Sequence, residues 1–201
     1  VIPEGHELLG RVVADSRDRP AWLAHRPGRI GGSDAAGFSK LESVPSYVKA
    51  KLQGSAFQGN AFTRHGNERE QRILRQFHIE QNTLMFRSVD NERHVATPDG
   101  VIVAGYDGHL VIAEVKTTTK PFTKVPLGYL RQCLWNMHVI GATECLFAYE
   151  PHQRFVATDA EPESMVVRLD DHRDELQKLV TIADAVLEGL DAAAEFRRNI
   201  A

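Results

Sequence analysis

His109-Leu110-Val111-Ile112-Ala113-Glu114-Val115-Lys116 is an apolar run broken near its end by two opposite charges. Its length and β-branched content read as a strand buried on both faces, as in the middle of an α/β sheet. Alternate strand residues face opposite sides, so Leu110, Ile112, Glu114 and Lys116 share one face and Val111, Ala113 and Val115 the other. A carboxylate and an ammonium therefore close a hydrophobic row. Each is costly there unless it finds a partner.

Working outward, Thr97-Pro98-Asp99-Gly100 leads into the apolar Val101-Ile102-Val103, with a proline that restricts the backbone and a glycine that permits a turn. Gly105-Tyr106-Asp107-Gly108 reads as the reversal into the strand above. Antiparallel pairing would then set Asp99 opposite Glu114. In Gly66 to Phe77 the apolar positions Ile73, Leu74 and Phe77 form one helical stripe, and Glu70 falls on it. Glu68, Arg69, Arg72 and Arg75 are assigned to the wet side. Singly, each acid has a plain reading: Glu70 complements a helix dipole, Asp99 makes a turn, and Glu114 with Lys116 forms a salt-bridged strand end. Together, three carboxylates and one lysine form a set that a divalent cation satisfies, the pattern of metal-dependent phosphodiester cleavage. Glu114-x-Lys116 is the one acid-x-Lys pattern in the chain.

Pro98-Asp99 followed by Glu114-x-Lys116 resembles the signature of the PD-(D/E)XK nuclease superfamily. Further segments resemble its lambda exonuclease-like, YqaJ-type viral recombinase branch: Arg26-Pro-Gly-Arg-Ile-Gly-Gly-Ser33-Asp34, Gly66-x-x-x-Glu70, and Tyr129-x-x-Gln132 with Trp135-Asn136-Met137. The resemblance spans residues 22–151, and Glu70 lacks the proline common after that glutamate. It implies an α/β fold with a restriction-endonuclease-like core, a central mixed β-sheet flanked by helices. It also implies a Mg2+-dependent exonuclease, with Mn2+ able to substitute, that acts 5'-to-3' on double-stranded DNA and exposes a 3' strand for a single-strand annealing protein. Asp99, Glu114, the carbonyl of Val115 and Glu70 would hold metal, and Lys116 would position or activate the attacking water. Arg26, Ser33, Thr97 and Gln132 would hold the 5' phosphate, Gln132 belonging also to the catalytic set. Two alternatives stay open: a structure- or sequence-specific endonuclease, and a noncatalytic DNA-binding module of the same fold.

The 201 residues are expected to form one nuclease domain, with a C-terminal helix over 170–198. No apolar run of about 18 residues and no leader-like start is present, so a cytoplasmic protein with no membrane contact is expected. Two cysteines are too few for a four-thiolate iron-sulfur cluster. Phosphate-loop, zinc-helix and nucleophile-elbow motifs are absent. A net charge of -3 argues against nonspecific coating of nucleic acid, so local clusters carry the electrostatic reading: Arg17, Arg19, His25, Arg26 and Arg29, and Lys116, Lys120, Lys124 and Arg131.

Ser33-Asp34 reads as an N-cap, Pro45-Ser46 as the start of a short helix ending near Gly54, and Pro126 as the introduction to a buried helix over 127–140 stopped by Gly141. Residues 145–149 read as a strand, and 155–158 with 165–168 as a peripheral pair. The last helix carries Leu176, Leu179, Val180, Ala183, Val186, Leu187 and Leu190 as an apolar stripe. That stripe either packs on the sheet or meets another subunit in a homo-oligomer.

Overall fold

The run that opens the sequence reading is β5 (His109–Thr118), the centre of a mixed sheet in the computed structural model, which describes residues 2–54, 61–105, 108–157 and 161–200. β4 (Gly100–Ala104) pairs antiparallel with β5, with Gly100 opposite Ala113, so Asp99 arrives beside Glu114 as the turn chemistry predicts. The reversal at Tyr106 and Asp107 lies outside the described residues. On its other edge β5 runs parallel to β6 (Glu144–Gln153). A parallel pair needs a crossover, and the apolar helix α5 (Leu127–Ile140) supplies it.

β6 also pairs antiparallel with β7 (Val156–Ala157) and β8 (Glu163–Arg168). This corrects the peripheral pair expected from 155–158 and 165–168: both segments bond to β6, whose ten residues offer more unpaired backbone than either short strand could. Thr158 lies outside the described residues. A second sheet, absent from the sequence reading, joins β1 (Val12–Asp15), β2 (Leu84–Arg87) and β3 (Val95–Ala96) antiparallel.

Between β1 and β2 come α1 (Arg19–Ala24), α2 (Gly32–Ala35), α3 (Val44–Gln53) and α4 (Ala61–Gln76). The N-cap of α2 is Gly31 and not Ser33-Asp34; Asp34 sits three residues on and accepts from the Gly31 N–H at 2.8 Å. α5 lies on one face of the mixed sheet over Ile112, Cys145, Phe147 and Tyr149, and α4 lies on the other, with Ile73 and Leu74 against Ala113, Val115 and Ala148. Arg11 caps the far end of α5, donating to the carbonyls of Val139 and Ile140.

The final helix, α6, covers Arg173–Ile200. Its stripe packs mainly on α3 and α5, with Ile182 added to the residues read from the sequence. Among the described residues no helix is long and apolar enough to cross a membrane.

Candidate active site

The sheet and α4 bring Glu70, Asp99, Glu114 and Lys116 to one place. Asp99 Oδ2 accepts from the Val115 N–H at 2.6 Å, which ties the end of the turn to the strand carrying the next two charges. Gly100 makes that approach possible: a Cβ there would fall 2.6 Å from Ile79 Cγ2 and 3.2 Å from Ala113 Cβ. Glu114 is 0% exposed. One of its carboxylate oxygens takes the Lys116 ammonium and the other accepts from Asn136 Nδ2 at 3.0 Å. Lys116 Nζ also donates to the Val115 carbonyl at 3.1 Å and sits 5.4 Å from the centroid of the Tyr129 ring. Glu70 reaches the cluster from α4, its Oε1 accepting from Gln81 Nε2 at 2.8 Å.

Three carboxylates thus share one ammonium. Burial, then the charge on Asp99, pushes Glu70 up to about 8 and Glu114 up to about 7, and burial raises Asp99 as well. Burial alone would lower Lys116, but Glu114 and Asp99 outweigh it and hold the ammonium charged above its ordinary range. The cluster is short of positive charge and all its acceptors are oxygen, a donor set suited to a hard divalent cation. Among the described residues no three His, Cys, Asp or Glu side chains are placed so that together they could hold a metal ion. Lys116 covers two of the expected donors, the Val115 carbonyl and a Glu114 oxygen.

A pocket of about 370 Å³ adjoins this cluster, and Arg26, Ser33, Thr97 and Gln132 all line it. Arg26 Nη2 donates to Ser33 Oγ at 2.8 Å, and its guanidinium lies 4.8 Å from the centroid of the Trp22 ring. The Trp22 indole N–H donates to Thr97 Oγ1 at 3.3 Å. Gly32 forms part of the wall, because a Cβ there would meet Asn136 Oδ1 at 2.6 Å and Gln132 Cγ at 3.2 Å. Asn136 therefore touches both regions, with its nitrogen on Glu114 and its oxygen against Gly32. Lys51 lines the same pocket, paired with Asp34 at 2.7 Å.

Some cations leave the site. Arg131, grouped with the site lysines in the sequence reading, is buried and ion-paired with Glu175 of α6 at 2.6 Å. Arg17 is held by Asp15. Arg69, assigned to water, turns inward onto Glu150.

The YqaJ-like viral recombinase domain model matches residues 21–145. The chain belongs to that family. The match takes in each expected site residue of this YqaJ-like chain, from Arg26 to Gln132. Its fold is similar to that of an alkaline exonuclease (LHK-Exo) from Laribacter hongkongensis, at 19% identity and TM-score 0.65, covering 90% of this chain and 96% of that one. The structure of LHK-Exo in complex with dAMP gives 19% identity and TM-score 0.64, with the same coverage. A phage related exonuclease from Haemophilus somnus 129PT gives 16% identity and TM-score 0.59, covering 83% of this chain and 96% of that one. At these identities the likeness establishes the fold, an α/β restriction-endonuclease-like core. No curated protein matches the sequence significantly.

Trp22, Gln81 and Asn136 were not among the expected site residues, although Asn136 belongs to a motif that carries the family resemblance. Asn136 carried a usable signal: it falls four residues after Gln132 in a helix otherwise apolar nearly all round, so both amides share a face. Nothing near Trp22 or Gln81 in the chain marks them.

Proposed function

We propose that this YqaJ-like chain is a divalent-cation-dependent exonuclease that digests linear double-stranded DNA from a 5'-phosphorylated end and leaves a 3' single strand for an annealing protein. The observation that carries the reading is the adjacency of two unlike regions: an oxygen-donor cluster with three carboxylates and one ammonium, and a pocket lined by Arg26, Ser33, Thr97 and Gln132. The dAMP bound to LHK-Exo supports a DNA substrate for this fold.

Asp99 and Glu114 would hold Mg2+ or Mn2+ with the Val115 carbonyl, and Glu70 would complete the set directly or through water. The cation, when bound, supplies charge neutralisation at the scissile phosphate and acidity to the attacking water. Asn136 keeps Glu114 oriented. Lys116, held protonated by its acidic neighbours, donates to the water and offsets charge developing on the phosphate. Arg26 grips the terminal phosphate by charge-assisted hydrogen bonds, backed by the Trp22 ring.

Linear duplexes labelled separately at each end, with a 5' phosphate or a 5' hydroxyl, test the reading beside covalently closed circles. Shortening from phosphorylated 5' ends, dependent on added cation, is expected. Cutting of closed circles would favour an endonuclease, and digestion that begins at 3' ends would overturn the assigned polarity.

A further inference from the structure

α4 meets the sheet through two different surfaces. Around Ile73 and Leu74 it packs on Ala113, Val115 and Ala148, an interface of small and branched apolar groups. One to two turns earlier the same helix presents His65 and Arg69 to β6, four residues apart and therefore on one face. Across from them stand Glu150 and His152, two residues apart and so on one face of the strand. The His65 and His152 rings lie 4.8 Å apart, and Arg69 grips Glu150 with two hydrogen bonds of 2.7 and 2.6 Å. Glu150 is 3% exposed and the Arg69 side chain 16%.

Ion pairs this dry add little stability compared with apolar groups of the same shape, because desolvating both charges offsets their attraction. What they add is orientation. A planar guanidinium on a carboxylate fixes both the rotation and the axial position of the helix that carries it. Successive helix residues point about 100° apart. With Arg69 committed to β6, Glu70 is turned towards Asp99 and Glu114, where Gln81 meets it.

We infer that Arg69 and Glu150 are positioning residues for Glu70: their bidentate pair sets the angle and register of α4 so that the Glu70 carboxylate completes the divalent-cation site. The inference rests on the reading of Glu70 as a cation ligand. It assigns a role in the reaction to an arginine turned onto β6 and to a carboxylate outside the acidic cluster.

The test removes both charges together, so that no buried ion is stranded. Arg69→Met/Glu150→Leu is expected to fold, shown by circular dichroism, with a thermal midpoint close to that of the unsubstituted protein. Its affinity for Mn2+, titrated calorimetrically without DNA, is expected to fall about 10- to 100-fold, the usual cost of losing an outer support of a ligand. The cation concentration for half-maximal digestion should rise by the same factor. In a Glu70→Gln background the pair substitution should add nothing, because the pair acts through Glu70. The exchange Arg69→Glu/Glu150→Arg, which keeps the pair, should recover part of the affinity. Unchanged Mn2+ affinity in the folded double variant, or an equal loss in the Glu70→Gln background, overturns the inference alone. Absence of Mn2+ binding to the unsubstituted protein overturns the reading of the cation site and the inference with it.

Discussion

The acidic cluster and the pocket beside it are built in opposite ways. The cluster takes its charges from one turn, one strand and one helix, buries Glu114 fully and the others in part, and leaves carboxylates in excess. The pocket draws on α1, α2, the segment before β4 and α5, stays partly open, and places Arg26 at its wall. Charge deficit in one and charge excess in the other suit two ligands of opposite sign held side by side. The comparison separates two failures: loss of chemistry should follow damage to the cluster, and loss of end selection should follow damage to the pocket.

The largest effect is expected at the cluster. Asp99→Ala, Glu114→Ala and Lys116→Ala should each lower digestion by on the order of 10²- to 10³-fold or more, on phosphorylated and unphosphorylated ends alike. Gel-based rates on labelled duplexes, with circular dichroism to confirm folding, check this. A folded Lys116→Ala protein with near-normal rates would remove the lysine from the mechanism. Arg26→Ala should instead erase the preference for a 5' phosphate, about 10- to 100-fold for a charge-assisted contact worth roughly 1.5–3 kcal/mol, while the cation requirement stays put. If Arg26→Ala changed cation dependence instead, the two regions would not be separable.

Gly32→Ala probes the seam between them. A methyl group 2.6 Å from Asn136 Oδ1 must push that amide or α2 aside, so a loss of about 1–3 kcal/mol is expected in denaturant unfolding, with both phosphate preference and cation affinity reduced. An effect confined to one property would break the proposed coupling.

The smallest effect concerns pH. Glu70 and Glu114 retain protons in the folded state up to about 8 and about 7, whereas in an unfolded chain they release them near 4.5. The folded state therefore binds more protons between about pH 4.5 and 8, and its stability falls as pH rises through that window. Without cation the melting temperature should drop across it. The rise in melting temperature produced by saturating Mg2+ should grow over the same range, since deprotonated carboxylates bind the cation. A cation-induced rise independent of pH would show that these carboxylates do not hold it.

The cluster was legible because its parts follow short rules. Alternation set the faces of residues 109–116, Pro98-Asp99-Gly100 set the turn, and helical spacing placed Glu70. The pocket gave no such local pattern, and its residues were placed by family resemblance. The three-stranded sheet escaped because its strands have four, four and two residues, too short for alternation to show. Arg69 escaped because a long cationic side chain on a helix reads as solvated until its partner is known. Glu150 gave a clue, since it follows an apolar run in its strand as Glu114 does. Arg131 misled for the same reason as Arg69, its partner Glu175 lying 44 residues away.

The carboxamide of Asn136 stands between the Gly32 backbone and Glu114 and belongs to a largely buried helix. Under the proposed function it serves as a ruler. It holds the anchored chain end and the bond to be cut at one spacing, so every round of cutting should release a fragment of the same size, whatever the base sequence that passes through.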